Sequence, residues 1–188
     1  TGNVKADKNK KTGTSTVIVQ DAILDASGRN PGERGGKIMV TGDNVALLAG
    51  TFIDVSGYQG LSDTTLNGKL SDVRTGAAGG DIRIGGDYLG GGITPTAQNL
   101  YVDKDVLVLN DSLYEGDAGR TIFWSDGNTE FYGNVYARAL GGLPVDPVTW
   151  HAMDAMAVLP PDQRRRGIGG FVETSGHNHL DAGGYVDL

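Results

Sequence analysis

The side chains able to do chemistry in this chain are scattered carboxylates, a pair of histidines and one run of arginines. Asp43, Asp54, Asp87, Asp126 and Asp187 are spread along the sequence as corner residues. Acid–base catalysis and glycoside hydrolysis need carboxylates that converge on one bond, and local spacing brings no two of these together. Asp25 and Asp54 differ in one respect. They occupy the same place in two similar phrases, so stacking those phrases would bring them side by side. His177-Asn178-His179 puts two imidazoles on one side of an extended segment, but a metal site takes three or four ligands and no third is evident. There is no nucleophile elbow, no phosphate loop and no dinucleotide fingerprint, and the Ca²⁺-binding Gly-Gly-x-Gly-x-Asp repeat is never intact. The sequence therefore predicts no catalytic residue, no metal and no cofactor: not an enzyme. Trp150 with Arg164, Arg165 and Arg166 offers an indole and three guanidinium groups, a set suited to contact, and is the candidate binding cluster. Asn110-Asp111-Ser112 is the one Asn-x-Ser/Thr triplet.

These residues must be held by a repeating framework. The stretch 35–57 reads as short apolar strands broken by Gly, Asp and Asn, with no helical period. Gly80-Asp81-Ile82-Arg83-Ile84 repeats its opening, as do Gly119-Arg120-Thr121-Ile122-Phe123 and Gly170-Phe171-Val172-Glu173-Thr174. Leu24-Asp25-Ala26-Ser27-Gly28 likewise matches Ile53-Asp54-Val55-Ser56-Gly57. A unit of roughly 20 residues recurring with variable insertions predicts a solenoid. Period-2 alternation turns Ile38 and Val40 to one face. Their counterparts are Ile82 and Ile84, Thr121 and Phe123, and Val172 and Thr174. Ile53 and Val55 repeat the alternation, with Asp54 and Ser56 outward, and Val135 and Ala137, then Val186 and Leu188, serve in the closing strand. The fold class predicted is all-β, a parallel β-helix whose core is made of ladders of like residues.

The predicted organisation is a polar tail over 1–13 and a β-helix segment over 14–188, with insertions at 58–78, 89–102 and 143–168. The last carries the one helix expected, near 146–158. Asp146 suits its N-cap, Pro147 its first position, and Pro160-Pro161 its end. Trp150, Met153 and Ala157 share a face of it.

Composition narrows the partners. Gly makes up 31 of 188 residues, about twice the ~7% background, with no collagen period, so it marks corners of a winding backbone. Cysteine is absent and the formal charge is −7, which argues against nucleic acid, whose phosphates need a basic face. No apolar run approaches the ~20 residues of a spanning helix. Without an initiator Met, a signal peptide or evident caps, the sequence reads as a segment of a longer chain.

Several phrases together resemble the haemagglutinin repeat region of filamentous haemagglutinin-like exoproteins. They are Gly-Asp-Asn-Val-Ala-Leu-Leu (42–48), Ile-Asp-Val-Ser-Gly (53–57), Ile-Gly-Gly-Asp-Tyr (84–88) and Ala-Gln-Asn-Leu-Tyr-Val (97–102). Gly-Arg-Thr-Ile-Phe-Trp-Ser-Asp (119–126), Phe-Tyr-Gly (131–133) and Gly-Gly-Phe-Val-Glu-Thr-Ser-Gly (169–176) continue the match in order. The resemblance implies a right-handed β-helix belonging to a large secreted protein of a bacterial two-partner secretion system. It implies export through an Omp85-type outer-membrane transporter, and a secreted or cell-surface location. The role implied is the shaft of an adhesin that contacts a receptor or glycan on a host or neighbouring cell. Scaffolds of haem- or haemopexin-acquisition proteins, haemolysins and contact-dependent toxins share the same shaft, and a polysaccharide-active β-helix is the remote alternative. The Asn-Pro-Asn-type motif of the secretion domain is not found, so the expectation is shaft plus decoration rather than secretion signal.

Overall fold

The computed structural model describes residues 14–30, 32–57, 77–112, 116–141 and 167–188, and the backbone of 65–66 and 69–70. The strands in chain order are Thr16–Val19 (β1), Ile23–Asp25 (β2), Lys37–Val40 (β3), Asn44–Leu47 (β4) and Phe52–Asp54 (β5). Thr65–Leu66 (β6), Lys69–Leu70 (β7), Asp81–Ile84 (β8), Ala97–Val102 (β9) and Leu107–Leu109 (β10) follow. Arg120–Phe131 (β11), Asn134–Tyr136 (β12), Phe171–Gly176 (β13), His179–Ala182 (β14) and Tyr185–Asp187 (β15) complete the set. Apart from a 3-10 turn at Tyr88–Gly90, no helix occurs among the described residues.

Pairing is parallel throughout, except in the antiparallel pair β6–β7. One sheet of eight strands carries the order β1-β4-β9-β11-β8-β3, with β13 and β14 also on β11; a five-stranded sheet runs β15-β12-β10-β5-β2. Apart from β6 and β7, strands adjacent in sequence are not partners. Each pairs with its counterpart in the next repeat of the sequence, an arrangement consistent with a parallel β-helix. The long strand β11 serves two positions at once. Its first half pairs with β8 and β13, its second with β9 and β14, and its register against β9 shifts between Ser125 and Asn128. Gly127 fits at this shift because a Cβ there would stand 2.1 Å from the Gln98 carbonyl oxygen.

The registers align the Ile38 and Val40 sets as the sequence predicts and add further ladders. Ile38, Ile82, Thr121 and Val172 lie abreast, as do Val40, Ile84, Phe123 and Thr174. Leu24, Ile53, Val108, Val135 and Val186 form a third ladder, and Val17, Val45 and Leu100 a fourth. The inner members of these ladders make one buried cluster, in which the rings of Phe123 and Phe131 meet at 4.9 Å. Each fully buried Ile, Val or Leu contributes about 1.5–3 kcal/mol relative to exposure, so a ladder holds together through contacts between neighbouring repeats.

Glycine sets the corners where backbones nearly touch. A Cβ on Gly35 would lie 1.7 Å from the Val55 carbonyl oxygen, and one on Gly119 would lie 1.9 Å from the Asn110 side chain. Elsewhere the need is conformational. Gly50 has φ +76°, and Asp21, at the equivalent corner one repeat earlier, has φ 48°. Asp is one of the few residues that tolerates that region.

Three sequence expectations change. The interval 89–102 is not one insertion: residues 97–102 are β9, paired with β4 and β11 inside the main sheet. Only the segment between β8 and β9 leaves the ladder. Ser56 does not face solvent; it is buried, and its hydroxyl accepts from the Asp111 amide at 3.2 Å. Asn110, read as a sequon, is fully buried. The tail 1–13, the helix near 146–158 and all but the end of insertion 143–168 lie outside the described residues, as does most of 58–78.

Candidate functional site

The first outward residue after each glycine corner forms a column across the sheet. Lys37, Asp81, Arg120 and Phe171 are register partners in that order. Beside the column lies a groove of about 770 Å³, floored by the corner glycines and lined by Arg34, Lys37, Asp81, Arg83, Arg120 and Phe171, among others. No backbone donor is left free along most of its floor. The amides of Gly35, Gly36, Gly79, Gly80, Gly119 and Gly170 all donate to carbonyl oxygens of neighbouring strands and corners.

The loop between β8 and β9 walls one side. Asp87 accepts from the Tyr88 amide at 2.8 Å and starts the 3-10 turn, and its carboxylate also takes Arg83 as an ion-pair partner. Arg83 reaches Asp81 as well, at 3.0 Å, and Lys37 stands 3.6 Å from the same carboxylate. The Leu89 amide meets the Glu173 carboxylate at 3.3 Å, tying the loop to β13. The loop thereby lies over outward-facing side chains of β11. Gly86 and Gly90 pass so close to Trp124 that a Cβ on either would stand 2.7 Å from its ring, and Ile122 is fully buried although it alternates to the outside. The indole Nε1 donates to Asp126 at 3.0 Å.

At the mouth of the groove Tyr88 and Phe171 meet edge to face, centroids 5.6 Å apart. The Arg120 guanidinium lies 4.9 Å from the first ring and 5.4 Å from the second. Both rings keep 44% of their surface exposed. Arg120 makes no ion pair among the described residues, so its charge is held by aromatic faces rather than neutralised. Asp117 also lines the groove and accepts from the Ile168 amide at 2.9 Å. This arrangement can hold an anion or a polar ring. It contains no nucleophile with an adjacent base.

Asp25, Asp54 and Asp43 lie away from the groove. Asp25 and Asp54 are register partners in neighbouring strands. Asp25 accepts from the Ser27 hydroxyl at 2.7 Å, the Ser27 amide at 2.9 Å and Arg29 at 2.6 Å. The Ser27 bonds, more than Arg29, hold its carboxyl below the usual range. Burial pushes Asp54 the other way, against the bonds it receives from Ser56, and the charges of Asp25 and Asp111 add to the rise. Neither lines the groove. Asp43 accepts from the Ser15 amide at 2.7 Å and closes a corner. On another face the Tyr132 hydroxyl donates to Asp181 at 2.8 Å, and that bond raises its pKa to about 12.

His179 begins β14 at the edge of the sheet, and His177 lies just before it, exposed. No group of three or more His, Cys, Asp or Glu among the described residues could hold a metal ion. Trp150, Arg164, Arg165 and Arg166, the predicted binding cluster, lie outside the described residues. Sequence reasoning missed Tyr88, Arg120 and Phe171. The signal was available: aligning the repeats on their glycine corners yields Lys37, Asp81, Arg120 and Phe171 as one outward column.

No protein-family model matches the chain, and no curated protein matches it. Among solved structures, the chain is similar to the HMW1 secretion domain from Haemophilus influenzae, with 25% identity and a TM-score of 0.52. The similarity covers 97% of this chain and 40% of that one, so this chain spans well under half the length of its structural neighbour. Among the described residues no helix is long and apolar enough to cross a membrane.

Proposed function

We propose that this chain is a right-handed parallel β-helical segment of a secreted bacterial exoprotein of the two-partner kind, acting by display and contact rather than by catalysis. The observation that supports it most is the in-register stacking of the sequence repeats. β3, β4 and β5 are matched in order by β8, β9 and β10, then by the two halves of β11 and by β12, then by β13, β14 and β15. Such a shaft presents the same outward columns along its length, and the loops between strands supply variable surface.

Likeness to a secretion domain supports export through an Omp85-type outer-membrane transporter. It also favours a second reading in which this segment takes part in export itself, rather than serving as shaft alone. The adhesin role, with a host or neighbouring-cell receptor or glycan, is the reading for the displayed protein; an acquisition or toxin-delivery scaffold is the alternative. Against a hydrolase stands the placement of the carboxylates. Asp25 and Asp54 are pushed in opposite directions, as an acid and a base would be, but both hold serine turns at a corner and lie outside the groove.

Beads coated with the folded chain should attach to target cells more than beads coated with heat-denatured chain. Deleting 143–168 should reduce attachment if Trp150 and the arginines after it make the contact. Equal attachment by folded and denatured chain would remove the adhesive role.

A further inference from the structure

We propose that the glycine-cornered groove of one chain takes the acidic, tyrosine-bearing corner of a second copy, so that the segments associate side by side. This goes beyond the contact role proposed above and does not depend on which cell or receptor is contacted.

The groove supplies one half of the contact. Arg34 and Arg120 line it and have no acidic partner among the described residues. Arg120 lies against the rings of Tyr88 and Phe171, which fixes the guanidinium and leaves its charge available to a carboxylate. The floor cannot take an added strand, which would need free main-chain donors, because its glycine amides are already bonded within the fold. A partner must therefore meet the groove with side chains.

The other half lies where β9, β11 and β14 turn towards β10, β12 and β15. Tyr101, Glu130 and Asp181 are register partners in neighbouring repeats. The rings of Tyr101 and Tyr132 meet edge to face at 6.1 Å. Their hydroxyls donate to Asp103 at 3.3 Å and Asp181 at 2.8 Å. Glu130 is exposed and makes no ion pair or hydrogen bond among the described residues. Lys104, the base at this corner, is paired with Asp105 at 2.6 Å. A convex corner with an unpaired carboxylate beside two rings thus complements a concave face with an unpaired guanidinium beside two rings.

Register makes the match specific. Arg120 and Glu130 lie on one strand, β11, and so in the same repeat. Two copies side by side with parallel axes bring strands of opposite direction face to face. The first outward column of one copy then opposes the second outward column of the other. Arg120 meets Glu130, Asp81 meets the Tyr101 hydroxyl, Lys37 meets Ala46 and Phe171 meets Asp181. No like charges are opposed in this column, and the Arg120–Glu130 pair can be bidentate. Because the two surfaces differ, the contact is heterologous and allows a third copy to add.

Sedimentation velocity of the purified whole chain over a concentration series tests this. Dimers and larger species should grow with concentration and weaken as salt rises. Arg120→Glu and Glu130→Arg should each weaken self-association at least about tenfold, because like charges then face each other. An equimolar mixture of the two variants should associate as wild type does: the two reversed charges match each other, and the unchanged Arg120 and Glu130 still match. The double variant Arg120→Glu/Glu130→Arg should also recover association. Circular dichroism and thermal melts check that each variant is folded. A chain that stays monomeric, association unmoved by either reversal, or a mixture no better than its components would overturn the proposal. So would a monomeric chain that binds poly-lysine and loses it in Glu130→Arg, which assigns the corner to a basic partner instead. A chain that attaches to cells as a monomer loses this contact alone, whereas one that self-associates without attaching loses the adhesive role alone.

Discussion

Asp111 and Arg138 form a buried ion pair one repeat apart. The Asp111 carboxylate receives the Arg138 backbone amide at 2.7 Å, Nε at 3.2 Å and Nη2 at 2.8 Å. The two residues retain 2% and 5% of their surface. The guanidinium also lies 4.5 Å from the Tyr136 ring and 3.6 Å from Asp187. In the ladder this pair stands where Ser27 and Ser56 stand in earlier repeats, so a small polar corner becomes a charged one.

Removing one member of such a pair leaves an uncompensated buried charge. Arg138→Met should destabilise the fold by about 3–5 kcal/mol, read by chemical denaturation. The double variant Asp111→Leu/Arg138→Met should recover part of that loss, because no charge is then stranded, though the Arg138 amide still lacks its acceptor. A double variant as unstable as the sum of the singles would show that the two residues act independently.

Asn110 is equally specific. It occupies the rung between Val55 and Ala137, yet its amide bridges two corners. Oδ1 accepts from the Gly80 amide at 2.7 Å, and Nδ2 donates to the Thr121 hydroxyl at 3.0 Å. Asn110→Val keeps the volume close but strands the Thr121 hydroxyl, and should cost about 2 kcal/mol. The same burial means that a glycosyltransferase acting on folded chain should leave Asn110 unmodified, with no mass increase by mass spectrometry.

Asp54 gives a pH signature. Its pKa is raised in the folded state by burial first, so the folded chain binds a proton more readily than the unfolded one. The stability linked to Asp54 is therefore fully present below the unfolded carboxylate pKa, about 4, and is lost as pH rises through the higher folded value. Asp54→Asn keeps an acceptor for the Ser56 amide, now 2.8 Å from Asp54, and removes the charge beside Asp25. Its melting temperature should exceed wild type at pH 7, with the gain shrinking toward pH 4. A gain that grows on acidification would contradict the assignment.

The ladders were legible in the sequence because period-2 alternation and glycine corners are local signals. Ile38, Ile82, Thr121 and Val172 could be aligned by eye, and the registers match that alignment. What stayed hidden depends on contacts between repeats. Asn110 is a polar residue on an inner rung and Arg138 one on the outward rung beside it, and only their partners one repeat away explain their burial. Ile122 faces outward by alternation and is buried because the loop after β8 folds back over it. β9 reads as part of an insertion because the polar run Gln98-Asn99 masks its alternation. Asn99 and Asn44 are in fact register partners whose side chains bond at 2.8 Å. Arg120, Tyr88 and Phe171 are far apart in sequence, and no short motif marks them.

Transporter-dependent release tests the export proposed for this β-helical segment. The chain, placed behind a signal peptide and a two-partner secretion domain, is produced with and without that domain's Omp85-type transporter, and the fraction outside the cell is measured. The account predicts release only when the transporter is present, with the released chain folded into protease-resistant β-structure. Retention in the periplasm despite the transporter, or equal release without it, would contradict the account.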